Sequence, residues 1–432
     1  MDRNGGARMV ERRQLIQIDE AVEHVMAYPL EVRTEKVSIV QSYGRMIAED
    51  LRASHPVPSF NRSPYDGFAI RSADTVSASR ETPVRFRVIG EIGAGQVFQS
   101  EIGDYEAVRI MTGAMIPAGC DAVIMLELVQ EKSSSEIEIK RQVKHHDNIS
   151  FIGEDTQEGE MITKAGSLIH PGIIAQLATF GVADVSVAAQ PVVGILATGS
   201  ELVDVNEPLE PGKIRNSNAY MVAAQVLRAG GIPVMLGHVE DKIEPCMKII
   251  REQFHKVDLM ITTGGASVGD FDLVPEIVKE LEAETLFNKV AMRPGSVTTV
   301  AATKSGKLLF GLSGNPGACF VGFELFARPV IRRSQRAKAH LPLSKGTLGV
   351  DFPKPNPFTR LIRGKLEEGT GNHIVYPSGL DKSGSVVSLA EADVLILLPG
   401  GTRGYKRGDK VDVLILDSNE GSDSSWETFF KS

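Results

Sequence analysis

The rhythm of the chain changes after Pro191, and that change constrains the fold more than any other feature. From there short apolar runs alternate with amphipathic stretches: PVVGILATG, SNAYMVAAQVLRAGG, IPVMLGHV, IEPCMKIIREQF, VDLMITTGG, VPEIVKELEAE, LFNKVAM, KLLFGLSG and CFVGFELFARPVIRR. Continuous apolar runs bounded by glycine read as buried strands, and the segments with helical periodicity read as helices. In the first helix Ala219, Val222, Ala223, Val226 and Leu227 are assigned to one face. Strands alternating with helices predict an open, mostly parallel α/β sheet covered on both sides.

The flanks read differently. DEAVEHVMAY places Ala21, Val22, Val25 and Met26 on one helical face, with Asp19 positioned as its cap. After the turn-rich HPVPSFNRSPYDG, the runs VRFRVIGEIGAG, AVRIMTG, DAVIMLELV and EIEIKRQV are short, β-branched and punctuated by glycine, which predicts a small β-domain. TRLIRGKLEE, HIVYPSG, SVVSLA, DVLILLPGG and KVDVLIL predict a second one at the end of the chain. The tail DSNEGSDSSWETFFKS reads as a frayed terminus, or alternatively as a docking patch built on Trp426 and Phe429–Phe430.

A chain of 432 residues needs more than one core. Its 47 Lys and Arg against 55 Asp and Glu give −8, which argues against a nucleic-acid-binding surface. Cys120, Cys246 and Cys319 show no metal-ligand spacing, MDRNGGARMVERR has no apolar core, and no stretch approaches the length of a membrane span. These features predict a cytoplasmic protein with reduced thiols and neither a structural zinc nor a membrane partner.

Ligands of open parallel sheets sit at the carboxyl ends of the strands. Three such ends share one chemistry here: ATGSE, TTGGASVGDFD and GLSGNPG. Gly199, Gly264, Gly265 and Gly314 let backbone N–H groups approach an anion. Thr198, Thr262, Thr263, Ser267, Ser313 and Asn315 add polar groups, and following helices present positive ends. Three loops on one rim point to a phosphorylated or nucleotide-like ligand. Neither a Walker A sequence nor GxGxxG is present. Glu201, Asp241, Asp270 and Asp272 follow strand ends, and carboxylates beside phosphates imply a divalent cation, Mg2+, between them. Asp270 or Asp272 could instead cap the helix at Val274. Lys289 and Arg293, four apart on a presumed strand, would face one anion together; a solvated charge pair is the alternative.

SPYDGFA, RIMTGA, ATGSEL, TTGGASVGDFD, FNKVAMRPG and LSGNPGACFVGFE, in that order, resemble the molybdopterin molybdenumtransferase family, to which the C-terminal domain of gephyrin is related. The resemblance spans residues 15–417. It implies four domains: an elongated α+β N-terminal domain from residues 1–50 and 155–190, an inserted β-domain (51–154), an α/β molybdopterin-binding domain (191–335) and a C-terminal β-barrel (336–417), followed by a flexible tail (418–432). It implies a homodimer in which DGFA and MTGA reach the partner's ligand domain. The substrates implied are adenylylated molybdopterin and molybdate, with AMP released, and other molybdenum cofactor biosynthesis proteins are candidate partners. Asp272, Glu201, Lys289 and Arg293 then become catalytic candidates, with Mg2+ near Asp272, Glu201 and Asp241. Arg363 would compensate oxyanion charge and Ser388 would donate to molybdate, while Asp66, Thr112 and Asp155 match further motif positions.

The sequence departs from the family where KPGKP is often found: RPGSV places Ser296 at the second lysine, and SGNP stands for PGNP. Two other readings remain at this level. An adenylyltransferase would need only the α/β domain, and a gephyrin-like scaffold would not need the carboxylates.

Overall fold

The computed structural model describes residues 13–264, 273–355, 357–368, 373–416, 421–423 and 426. The chain forms two compact units, Met1–Glu49 with Ala165–Ile174 and Asp184–Ser432, and Asp50–Lys164 with Ala175–Ala183.

The larger unit begins with helix α1 (Ile18–Met26), whose Ile18, Ala21, Val22 and Val25 are buried. Its N-cap is Gln17, without a side-chain cap bond, so Asp19 lies in the first turn and is not the cap. An acid there still meets the positive end of the helix dipole. Strand Thr34–Ser38 pairs antiparallel with Asp184–Ala188, joining two sequence-distant segments of this unit.

The alternating region gives β1 (Val192–Thr198), α2 (Ser217–Ala229), β2 (Ile232–Val239), α3 (Ile243–Gln253), β3 (Leu259–Thr263), α4 (Val274–Glu280), β4 (Glu284–Phe287), β5 (Met292–Arg293), β6 (Thr299–Ala302), β7 (Leu308–Leu312) and α5 (Pro316–Gly322). Six strands form one sheet in the order β2-β1-β3-β7-β6-β4. The first four run parallel, and β6 and β4 are antiparallel additions at one edge. Alternation sorts the side chains: Val193, Ile195, Ile261 and Phe310 pack with α1 and α2, while Leu196, Met260 and Leu309 pack with α3 and α4. The multidomain α/β class expected from the sequence is the one observed.

Three expected details differ. Leu227 is 62% exposed, because the buried stripe of α2 runs through Ala219, Val222, Gln225, Val226 and Ala229. LFNKVAM is not one strand: β4 ends at Phe287, Val290 bridges to Ile16, and β5 begins at Met292. The closing helix is interrupted by a wide π turn, Phe323–Ala327, before α6 (Arg328–Ser334). Pro329 cannot donate a backbone bond, which loosens the ladder there. Inside the turn Glu324, fully buried, takes Gln225 Nε2 at 2.6 Å and Arg228 Nη2 at 2.5 Å, with Arg328 Nε at 3.7 Å.

A closed five-stranded barrel follows: β8 (Leu343–Leu348), β9 (Thr359–Glu368), β10 (His373–Pro377), β11 (Val394–Leu398) and β12 (Lys410–Ile415). Its pairings run β9–β10–β8–β12–β11 and back to β9, around Leu348, Ile362, Val375, Ile396 and Val413. SVVSLA, expected as a strand, is instead a short 3-10 turn (Val387–Leu389) with the Ser388 side chain inward. Trp426, assigned to a frayed tail, is 4% exposed; its Nε1 donates to Leu341 O and its ring meets His340 edge-on. Phe429 and Phe430 lie outside the described residues.

The smaller unit is built on a six-stranded sheet ordered Ala122–Met125, Gly67–Ile70, Glu106–Ile110, Val84–Ile92, Glu136–Ile139 and Val129–Ser133. Phe68, Phe86, Ile124 and Ile137 fill one face, and Ile92, Val108, Ile110 and Val123 the other.

Removing a buried carboxylate from its cations leaves them uncompensated, which costs about 3–5 kcal/mol. Glu324→Ala is therefore expected to lower the unfolding free energy by that order, read from urea melts of the chain. A change below about 1 kcal/mol would mean that the cluster contributes no more than an exposed ion pair does.

Candidate functional site

The carboxyl ends of β1, β3 and β7 are aligned by their parallel register, Ala197 beside Thr263 and Thr263 beside Leu312. Each gives way to a small-residue loop. Gly264 adopts φ +97°, and a Cβ there would lie 2.1 Å from Thr198 O. Its N–H donates to Leu312 O at 3.1 Å, and a Cβ added to Gly314 would reach ordinary contact with its Cα, at 3.6 Å. Only glycine allows the backbones to meet this closely. Gly314 O is in turn held by Asn218 Nδ2 of α2 at 2.8 Å.

Above these loops lies a cavity of about 700 Å3, within the range of small-molecule sites. The rim contributes Thr198, Glu201, Gly264, Ser313, Gly314 and Asn315, and Asp241 follows β2. The Arg293–Val297 loop and the barrel residues Arg360, Arg363, Asp381 and Ser383 complete the lining. The Thr198 hydroxyl and Asp241 Oδ1 are buried without a hydrogen-bond partner among the described residues, which suits a ligand or cation. Asp241 Oδ2 accepts weakly from Ser200 N–H at 3.4 Å.

The barrel wall is anchored by Arg363, 2% exposed. Its Nε donates to Ser388 Oγ at 3.0 Å, and Nη2 donates to Leu380 O and Lys382 O at 3.2 and 3.1 Å. Burial lowers its pKa, opposed by the nearby Asp381 carboxylate. The same loop offers Ser383 O to the Gly317 N–H at 2.8 Å, so barrel and α5 meet through backbone. A Cβ on Gly317 would lie 2.8 Å from Arg363 Nη1. Short β5 runs parallel to β9 and sets Arg293 beside Arg360.

Thr198, Glu201, Gly264, Gly314, Asn315, Asp241, Arg293 and Arg363 thus line one cavity. Thr262 and Thr263 are buried in β3 and outside the lining, as is Gly199. Lys289 and Arg293 do not share a strand face, because the strand breaks between them; of the two, Arg293 lines the cavity, while Lys289 O receives Ile16 N–H. Ser388 is not in the lining: its hydroxyl serves Arg363 and points to Ser385 O. Gly265, Ser267, Asp270 and Asp272 lie outside the described residues; Leu273 is the N-cap residue of α4, without a side-chain cap bond. In the smaller unit, Asp66 Oδ1 accepts from Thr112 N–H at 2.6 Å and Thr112 Oγ1 at 2.7 Å. These bonds hold the Asp66 carboxyl below its usual pKa. Asp155 lies in the same unit, its N–H on Val57 O.

Sequence reasoning missed Arg360, Asp381 and Ser383. Arg360 and Arg363 are three apart on a strand, a spacing that assigns them to opposite faces. Only the attachment of β5 beside β9 could have flagged Arg360.

Fold and site together define a multidomain α/β protein whose glycine-rimmed pocket is walled on one side by a β-barrel. Three family models match in order: the MoeA N-terminal region (domain I and II) over residues 16–181, a probable molybdopterin binding domain over 194–333, and the MoeA C-terminal region (domain IV) over 345–416. The chain is 52% identical over 428 residues to the molybdopterin molybdenumtransferase of Bacillus subtilis, covering 98% of this chain and 99% of that one. It is 49% identical to the Staphylococcus epidermidis protein of the same name, covering 95% and 98%. The crystal structure of the molybdopterin biosynthesis MoeA protein from Pyrococcus horikoshii superposes with a TM-score of 0.83 at 29% identity, over 94% of this chain and all of that one. The chain belongs to the molybdopterin molybdenumtransferase (MoeA) family.

Gly264→Ala adds a methyl group where backbone already stands and forces a positive φ on a residue that resists it. The expected loss is about 1–3 kcal/mol of stability together with ligand binding at the rim. Unfolding melts and ligand titration of the variant check both; normal binding would show that the rim does not contact the ligand.

Proposed function

We propose that this chain inserts molybdate into adenylylated molybdopterin and releases AMP. The observation that carries the reading is the single cavity in which a glycine-rich rim, three carboxylates and three arginines meet, in a chain about half identical to named molybdopterin molybdenumtransferases. The rim loops take the phosphate oxygens through backbone N–H groups and hydroxyls. Arg293 and Arg363 offset oxyanion charge; a guanidinium presents a planar fork of donors suited to tetrahedral oxygens. Arg363, locked by three acceptors, changes little on binding and therefore acts as a preorganised charge.

Glu201 and Asp241, with Asp272 from the same rim, would hold Mg2+. The orphaned Thr198 hydroxyl and Asp241 oxygen fit a hard cation with oxygen ligands. Among the described residues no three such groups converge as a metal cluster, and Asp272 is the carboxylate that would complete the set. Bound there, Mg2+ would polarise the phosphoanhydride. In purified protein supplied with adenylylated molybdopterin and Mg2+, molybdate addition is expected to release AMP, and chelation to stop it. Asp272→Asn should bind the adenylylated pterin and yet release no AMP; unchanged turnover would make Asp272 a structural residue.

The working form would be a homodimer. Phe60, Tyr65, Met115 and Ile152 are exposed on the unit that carries the bonded Asp66–Thr112 pair, and these apolar groups support contact with a second copy. Asp66→Ala and Asp272→Ala chains, each inactive alone, are expected to recover part of the activity after subunit exchange, because a mixed dimer contains one site free of both changes. Exchange demonstrated without recovery would remove Asp66 from the partner's site. Reduced thiols at Cys120, Cys246 and Cys319, with no helix among the described residues long and apolar enough to cross a membrane, support placement in the cytoplasm.

A further inference from the structure

Among the described residues that line the cavity, Arg360 is the cation with no part in the function proposed above. Its side chain is largely enclosed and lies over Phe352, with the guanidinium carbon 5.6 Å from the ring centre. Nη1 donates to Asp381 Oδ2 at 2.9 Å, while the Nε–H is buried with no acceptor among the described residues. A buried donor on a cation without an acceptor is costly unless a ligand supplies one. Parallel register sets Arg360 beside Arg293, so the two side chains leave the same face of the β5–β9 pair.

The charges around the cavity are separated by topology. Glu201 and Asp241 come from the ends of β1 and β2, one side of the sheet. Arg293, Arg360 and Arg363 come from β5 and β9, where Asp381 is the lining carboxylate and is already shared with Lys354 at 3.0 Å. The RPGSV loop has Arg293 as its sole cation, with Ser296 facing the same cavity. That loop thus offers a doubly charged anion one positive charge, and Arg363 is already committed to three acceptors of the barrel loop.

We propose that Arg360 is a substrate-binding residue, pairing with Arg293 to seat a tetrahedral oxyanion of charge about −2. This assignment rests on the reading of the cavity as the transferase site. Asp381 orients the fork through Nη1, and the Nε edge meets the anion. The pair supplies through the barrel strand the second positive charge that the RPGSV loop does not carry. Molybdate and the pyrophosphate of the adenylylated pterin share this chemistry.

The test is calorimetric titration of the full chain, at fixed ionic strength, with sodium molybdate and separately with inorganic pyrophosphate. Arg360→Gln is expected to weaken one of the two by about ten- to a hundredfold, the loss of a charge-assisted bond. Loss confined to molybdate assigns the seat to molybdate, and loss confined to pyrophosphate assigns it to the anhydride. Arg360→Lys, which keeps the charge and can still reach Asp381, should lose less, and Ser296→Lys added to Arg360→Gln should recover affinity. Thermal melts of each variant exclude unfolding as the cause. Unchanged affinity of Arg360→Gln for both anions overturns the proposal, as does binding of neither anion by the wild-type chain. So does a folded double variant with no recovery. AMP release by the wild-type chain is measured separately. If it fails while Arg360→Gln weakens anion binding, the reaction is wrong and the seat stands; if AMP is released and anion affinity is unchanged, the reverse holds.

Discussion

The contact between the α5 entry and the 380–388 loop determines whether the cavity exists at all. Gly317 N–H reaches Ser383 O, and Arg363 gathers Ser388, Leu380 and Lys382 around one guanidinium. Without this knot the glycine rim would be an open edge, and the barrel arginines would have nothing to face. Burying Arg363 is unfavourable in itself, as its lowered pKa reflects. Three acceptors offset that penalty, and the result is a cation with little freedom left to lose when an anion arrives.

The rim depends on a second constraint, the closeness of three backbones. Gly264 leaves no room for a Cβ beside Thr198 O, its N–H is bonded to Leu312 O, and Asn218 holds the Gly314 carbonyl from α2. The helix is itself set by the Asn216 cap, whose Oδ1 accepts from Ala219 N–H, and by Gly230 in the left-handed region. Local capping signals therefore propagate to the orientation of a ligand-facing loop. Sequence, helix register and site geometry are linked by a single side-chain amide.

Much of this was legible in the sequence because the determining signals are local or periodic. The alternation after Pro191 is a sum of short-range patterns, and each predicted strand end carries its own glycine. The family motifs placed Arg363 without any geometric reasoning. What failed was what depends on distant pairing. Lys289 and Arg293 looked like neighbours on one strand, but Val290 is drawn to Ile16 and Met292 to Thr359, so the run breaks in two. The Ser388 hydroxyl, expected as a ligand donor, accepts from Arg363 Nε, a contact that no local pattern signals. The π turn was invisible because the closest partners of Glu324, Arg228 and Gln225, come from another helix.

Arg360 illustrates why parity along a strand can mislead at a junction between domains. In an isolated sheet, residues three apart face opposite sides, and one of Arg360 and Arg363 should miss the site. Here β9 does two jobs. Within the barrel it pairs with β10 and β11, and at its start it also accepts β5 from the α/β domain. The β5 pairing extends only across Met292 and Arg293, so Arg360 sits where one sheet ends and a cavity begins, next to Arg293. Arg363, beyond that point, stands on the face of β9 opposite to the barrel-core Ile362 and lines the same cavity, held by the 380–388 loop. One strand can therefore deliver two cations to one cavity from both of its faces, provided that its partner strand stops between them. The two-residue length of β5 thus becomes a determinant of the charge in the pocket.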